Sequence, residues 1–425
     1  MSISDHNVVT IGEPREKWGP CPFRFYDRWL EDAESINLAR EGWRNCKVTG
    51  THGFVLSAKL KFTKEIIKRK DEQMWCQKSR VKWLKKGDRN SKIFHIMANG
   101  RMRSNYIEEI FVNGARISAP NLVKEGVRNF YESQFHNVTW RRPSIYGMNL
   151  KSLSAVERLC LEKPFSGVEV WEALSSCDGN KVLGPDGLNL NFVKSNWEWI
   201  QEDFMRFIHG FHEDSMIVKD LNKTFIDLIP KCSKPESMKD FRSISVVGSM
   251  YKILAKVLAN RIKFVMNTII GDYQMAFVKN PQILDSFVIV EEIIHLWKYD
   301  NKGSLLVKLD FKIAYDCVDH GFLDAMMREM GFGEKWRRWM QSCISTPMLS
   351  VLVNGSPTSE FGIERGLRQG DPLSPFLFNT LIEGLSSLFR KACNLGLISG
   401  ASFGDNTGFY SSNRIWSTFV MLKES

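Results

Sequence analysis

Asp310 closes an apolar run, "SLLVKLDF" at 304–311, and Tyr315 and Asp316 follow a few residues on. A carboxylate at the tip of a buried strand is poorly solvated unless a cation or hydrogen-bond donors meet it. Mg²⁺ takes such carboxylates together with phosphate oxygens and fills its octahedron with water. Two-metal phosphoryl transfer needs at least two carboxylates to hold both ions. A strand-end Asp bonded to backbone amides is the plainer reading of a lone Asp. A second stretch, "ERGLRQGDPLSP" at 364–375, weighs against it. Arg365, Arg368 and Gln369 offer donors for phosphate or a nucleic-acid strand, and Gly370 permits close backbone approach.

A third group of residues is cationic. The chain carries a net charge of +10 over 425 residues, and the excess is local. Between Lys59 and Arg103 there are 15 basic residues against 4 acidic ones, so this window accounts for the whole excess. A polyanion is the natural partner, nucleic acid first. Aromatic and aliphatic residues interleave with the bases in "SRVKWLKKGDRNSKIFH", which suits a strand-tracking surface better than a merely solvated helix face. Lys82, Lys85, Lys86, Arg89, Lys92, Arg101 and Arg103 are its candidate contacts.

The elements that must position these groups follow from periodicity. Residues 31–103 have a helical pattern with Gly53 as a break and a turn at Gly87-Asp88. "NYIEEIFVNGARI" predicts a hairpin at Asn113-Gly114. Residues 151–217 are helical, interrupted by "VLGPDGLN", a turn by its Gly and Pro-Asp chemistry. "FIDLIPK" at 225–231 is a short strand stopped by Pro230. A helix runs from Val247, with Leu254, Val257, Leu258, Ile262 and Val265 on its apolar positions. Another places Phe322, Leu323, Met326, Met327 and Met330 on one face. In "MLSVLVNGSPTSEFGI" the alternation of Leu349, Val351 and Val353 before Asn354-Gly355 predicts a second hairpin. The loop around Gln369 then feeds an apolar helix.

Composition narrows the class. Hydrophobic residues make up 43% and charged residues 25%, as in a globular protein of two or three domains. No apolar run reaches the roughly 18 residues of a membrane span. The N-terminus has no secretory pattern, and nine scattered cysteines without a Cys-x-x-Cys pair suit a reducing compartment. An intracellular location, nuclear or cytoplasmic, is expected.

Several blocks, in order, resemble one family. "LVKLDFKIAYDCVDH", the "NG" at 354–355 and "GLRQGDPLSPFLF" are similar to the reverse transcriptase of non-LTR (LINE-type) retrotransposons, in particular the plant group. "WLKKGDRNSKIFH", "GPDGLN", "LIPK", "DFRSISVVGSMYKILAKVLANRI" and "QMAFVKNPQILD" fit the same pattern. The N-terminal "SISDHNVV" resembles the last strand of the apurinic-type endonuclease that precedes the polymerase in such polyproteins, which would make Asp5 and His6 vestigial. The resemblance implies an α+β fold: right-hand polymerase fingers and a partial palm, an antiparallel sheet with packed helices, preceded by a basic helical segment. It implies an endonuclease remnant over 1–30 and a basic linker over 31–150. Fingers would follow over 151–300, a partial palm over 301–400 and a divergent tail over 401–425. It also implies Mg²⁺ as cofactor, held by Asp310, and an RNA template, a DNA primer and a dNTP as partners. Tyr315 would be the gate under the sugar. Phe311, Arg242, Gln369 and Gly370 would complete the nucleotide site.

Departures accompany the likeness. Ser243 stands where the family has Pro, Lys312-Ile313 where it has Glu-Lys, and Asn280-Pro281-Gln282-Ile283 where it has Gly-Arg-Gln-Ile. The family's remaining metal ligands come as adjacent aspartates in a hairpin, and the 425 residues contain no Asp-Asp pair. Asp405, in "FGDNT", offers one carboxylate where two are needed. The expectation is a reverse transcriptase region truncated at both ends, inactive, with Mg²⁺ not productively bound; a frameshift or a misjoined gene near Ile415 is the linked hypothesis for the divergent tail. The alternatives are a non-catalytic nucleic-acid-binding remnant using the basic segment at 59–103 and a decayed product without a selected role.

Overall fold

The computed structural model describes residues 18–78, 106–112, 115–137, 145, 147–179, 182–232, 235, 237–271 and 314–397, with scattered helical positions between 288 and 299. The strand expected at 304–311, the turn at Gly87-Asp88 and the tail after residue 400 lie outside the described residues.

Helices α1 (Ala33–Asn45) and α2 (His52–Lys78) open the described chain. A hairpin of β1 (Ile110–Val112) and β2 (Ala115–Ile117) and helix α3 (Pro120–Phe135) come next. Four helices follow: α4 (Ala155–Glu162), α5 (Gly167–Ser175), α6 (Leu190–Ser195) and α7 (Trp197–Asp214). Strands β3 (Lys223–Pro230) and β4 (Phe241–Val247) lead into α8 (Ser249–Ile269). After the break, α9 (His320–Glu329) and α10 (Glu334–Ser345) precede β5 (Met348–Val353), β6 (Ser356–Pro357), β7 (Phe361–Gly362) and α11 (Ser374–Asn394). Polar caps fix several starts: the side chains of Ser154, Ser166, Asn189 and Asp319 each accept the backbone N–H three residues on.

The helical reading of 31–103 holds through Lys78, but the break falls between α1 and α2, not at Gly53. Gly53 lies in the first turn of α2. A Cβ there would sit 2.9 Å from Val218 Cγ2 and 3.4 Å from the Phe207 ring. The glycine allows α2 to approach α7 closely rather than ending a helix.

The main sheet runs β4-β3-β5-β6, with β7 also on β5. β4 lies antiparallel to β3, from Thr224 opposite Val247 to Pro230 opposite Phe241. β5 runs parallel to β3, with Lys223 beside Met348 and Ile226 beside Val351. The sheet is therefore mixed, which corrects the purely antiparallel expectation. Parallel neighbours need a long crossover, and here helices α8, α9 and α10 lie between the two strands in sequence. β5 is paired on both sides and buried along nearly its whole length, so its alternation of apolar residues understates its burial.

Two apolar clusters hold the fold. In one, Val123, Val127, Tyr131 and Phe135 make a stripe along α3 that packs on Ile226, Leu228, Val351, Val353 and Phe361 of the sheet. The other is centred on α8, which buries Leu254, Val257, Leu258, Ile262 and Val265 as its spacing predicts, and Tyr251 and Met266 as well. Phe25 and Trp29, from the segment before α1, join this second cluster. So do Trp43 of α1, Leu56 of α2, Trp336 and Trp339 of α10, and Met326 and Met330 at α9.

Candidate functional site

Tyr315 sits in a turn at 314–317, just before α9. The loop at 366–373 crosses this turn and is bonded to it twice. Leu367 N donates to Tyr315 O at 2.8 Å, and Gly366 N donates to Val318 O at 2.6 Å. His320, at the start of α9, bonds Gly366 O through Nε2 at 2.8 Å. The Tyr315 ring packs on Phe378 of α11, centroids 5.1 Å apart. On its other side the loop meets β4, where Ser245 N donates to Gln369 O at 2.8 Å. Gly370 has φ +108, and a Cβ there would sit 2.9 Å from Ser245 O. Only glycine lets the backbone lie this close to the strand in that conformation. Arg242 lies on the same strand, three residues before Ser245 and opposite Ile229. The fold thus gathers Tyr315, Gln369, Gly370 and the strand bearing Arg242.

Arg368 and Arg365 take different places. Arg368, expected on a nucleic-acid surface, is 3% exposed. Its guanidinium donates to Asn222 Oδ1 at 2.6 Å, Thr224 Oγ1 at 3.0 Å and Cys343 O at 3.1 Å. It pairs with Asp371 Oδ2 at 2.8 Å and lies over the Tyr251 ring, 4.1 Å from its centroid. Its charge is satisfied inside the protein, which corrects the surface expectation. Arg365 is half-buried, donates through Nε to Gln134 O at 2.9 Å, and its charge faces Asp316. Burial pushes the Asp316 carboxyl up to about 6, against the opposing pull of Lys231 and Arg365. Burial, then the Asp316 charge, raises the nearby Tyr131 hydroxyl.

The basic segment is also partly consumed. Lys59 Nζ and Trp43 Nε1 both donate to Asp203 Oδ2, at 2.7 and 2.8 Å. Lys61 pairs with Asp220, and Lys64 donates to Pro185 O at 3.3 Å while burial lowers its pKa. The first lysines of 59–103 thus anchor α2 to α7 and the loops beneath it. Lys82, Lys85, Lys86, Arg89, Lys92, Arg101 and Arg103 lie outside the described residues. So do Asp310, Phe311, Asp5, His6 and Asp405.

Among the described residues, no group of three or more His, Cys, Asp or Glu side chains could hold a metal ion. The described carboxylate nearest Asp310 in sequence, Asp316, faces two cations and a tyrosine, which does not fit a Mg²⁺ ligand. No helix among the described residues is long and apolar enough to cross a membrane.

Sequence reasoning missed Asp371, Tyr251 and Asp186. Tyr251 O–H donates to Asp371 Oδ2 at 2.7 Å, and Asp371 Oδ1 accepts from Leu373 N at 2.9 Å. Asp186, in the Gly-Pro-Asp-Gly turn, accepts both the backbone N–H and the hydroxyl of Ser249, at 2.6 and 2.5 Å. It thereby places a carboxylate at the N-terminus of α8. The available signals were weak: a tyrosine tip on an otherwise apolar helix, and an acidic residue in a turn that also reads as turn chemistry.

The family model for reverse transcriptase (RNA-dependent DNA polymerase) matches residues 229–414. The chain is similar to the uncharacterized 149 kDa protein of transposon TX1 from Xenopus laevis, 25% identical over 370 residues, covering 82% of this chain and 28% of that protein. It is similar to the Pol polyprotein of the type-2 retrotransposable element R2DM from Drosophila melanogaster, 27% identical over 258 residues, 58% of this chain and 24% of that one. It is also 44% identical over 59 residues to an uncharacterized mitochondrial protein of Arabidopsis thaliana, 14% of this chain and 48% of that protein. The chain spans about a quarter of the length of the two transposon relatives.

Proposed function

Since this chain carries a reverse transcriptase region of the non-LTR retrotransposon kind, we propose that the Tyr315 turn, the Gln369-Gly370 loop and β4 form one wall of an incoming-nucleotide site. The observation that carries this reading is the set of three backbone hydrogen bonds, from Leu367, Gly366 and Ser245, that join those three segments. Tyr315 underlies the sugar, Arg242 reaches the triphosphate, and Gln369-Gly370 borders the template base and the nucleotide. By the resemblance, Asp310 would supply one carboxylate for Mg²⁺ and Phe311 would belong to the nucleotide site. The helices and strands over 151–300 serve as fingers, and 301–400 as a partial palm. An RNA template and a DNA primer are the nucleic-acid partners, and the basic residues between Lys82 and Arg103 are candidate contacts for them by charge. The motif blocks and the match to a plant protein support the plant-type assignment.

The 425 residues contain no Asp-Asp pair, and Asp310 is the one aspartate that the resemblance assigns to metal binding. We propose that this chain by itself binds template, primer and nucleotide without joining them. The sugar-gate role is tested by competing dNTP against rNTP for the chain–template–primer complex. In Tyr315→Ala the preference for dNTP falls by about tenfold or more, because the aromatic floor that excludes a 2′-hydroxyl is gone. An unchanged ratio would remove Tyr315 from the site.

The non-catalytic binding reading has support of its own, since the charge segregation does not depend on any carboxylate. It now rests mainly on the residues beyond Lys64, as Lys59 and Lys64 are engaged inside the fold and Lys61 pairs with Asp220 at its surface.

A further inference from the structure

Gln369 and Gly370 stand between two residues that bond to each other. Arg368 and Asp371 form an ion pair with 3% and 4% of their side chains exposed. Each end of the dipeptide is fixed to different elements. Arg368 reaches Asn222 just before β3, Thr224 on β3 and the Cys343 carbonyl near the end of α10. Asp371 reaches the start of α11 through Leu373 N and the hydroxyl of Tyr251 on α8. Tyr251 closes the ring, because its face lies under the guanidinium and its hydroxyl donates to the carboxylate. Burial keeps that hydroxyl protonated and so a fixed donor.

A buried ion pair adds little net stability, because desolvation of both charges offsets their attraction. An apolar pair of the same volume would hold a core as well. What the pair does supply is direction: a planar guanidinium with committed N–H groups admits one arrangement of the chain on either side of it. That arrangement puts Gln369 O on the Ser245 amide and Gly370 against the Ser245 carbonyl.

Building on the nucleotide-site reading above, we propose that Arg368, Asp371 and Tyr251 are positioning residues that set the Gln369-Gly370 backbone against β4 and thereby govern how strictly a complementary nucleotide is selected. None of the three touches the nucleotide. They act through the dipeptide, whose displacement by a fraction of an ångström changes the fit of the nascent base pair.

The test compares wild type, Tyr251→Phe and Arg368→Lys in the full chain bound to a template–primer. Two quantities are read: the ratio of affinities for complementary over non-complementary dNTP, and hydrogen exchange at the Ser245 amide. Tyr251→Phe keeps the ring and the core and removes only the hydroxyl. The expected result is a ratio lower by about fivefold or more in both variants, with Ser245 exchange about tenfold faster and template–primer affinity unchanged. A role confined to stability would leave the ratio unaltered below the melting range. If wild type discriminates and both variants discriminate equally, the positioning claim is wrong while the nucleotide site stands. A lower ratio with Ser245 exchange unchanged also overturns it, because the effect would not pass through the loop. If wild type binds no dNTP at all, the nucleotide-site reading fails and takes the proposal with it.

Discussion

Asp316 shows how one carboxylate can be read by its surroundings. It follows Tyr315 directly, six residues after Asp310. In the fold, burial raises its carboxyl to about 6, with Lys231 and Arg365 opposing the rise and Tyr131 beside it. Its folded pKa lies above its unfolded one, so the folded chain binds this proton more tightly. The stability it contributes is complete below about pH 4 and is lost as the pH climbs through about 6. Asp316→Asn should therefore gain stability over wild type as the pH rises from 4.5 to 7, by roughly 1–2 kcal/mol after solvent screening and loss of the Arg365 attraction. Urea midpoints at both pH values check this. Arg368 teaches a related lesson. An arginine in a Gly- and Pro-rich loop looks solvent-facing in sequence, where loops are mostly exposed. Its partners, Asn222, Thr224, Tyr251 and Cys343, come from distant segments, so only the fold reveals that it is buried.

At the scale of elements, strong periodicity was readable and weak periodicity was not. The apolar face of α9 and the Asn354-Gly355 hairpin form as their patterns predict, with both hairpin residues at positive φ. β4 was not recognised as a strand. Its sequence, Phe-Arg-Ser-Ile-Ser-Val-Val, is half-buried through the middle and shows no two-residue alternation. It is a strand because β3 pairs along one edge and the Gln369 loop meets its Ser245 amide. Arg261 is a second case. It interrupts the apolar surface of α8, yet it is 4% exposed. It binds both carboxylate oxygens of Glu169 at 2.7 and 2.8 Å, the carbonyl of Leu161 in the last turn of α4 and those of Lys163 and Pro164 just past it. Arg261→Leu leaves Glu169 and three carbonyls without their donor. The expected loss is about 3–5 kcal/mol, visible as a lower urea midpoint with an unchanged slope. A loss under about 1 kcal/mol would show that water replaces the guanidinium.

At the scale of the whole chain, the segregation of positive charge was plain from composition. The fold divides it. Lysines 59, 61 and 64 join α2 to the body, which leaves the later bases for a polyanion. Replacing Lys82, Lys85 and Lys86 with Ala should weaken template–primer binding at every sequence. It should also lower the slope of log affinity against log salt by about 2–3. An unchanged slope would move the interface elsewhere. The central claim is that these residues form a reverse transcriptase nucleotide site that binds without joining, and one experiment reads both halves of it. The purified chain is incubated with template–primer, Mg²⁺ and labelled complementary dNTP, the complex is isolated, and the primer is then separated under denaturing conditions. The account predicts label retained with the complex and none on the primer. No retained label would contradict the site, and label covalently joined to the primer, abolished by Asp310→Ala, would contradict the absence of catalysis.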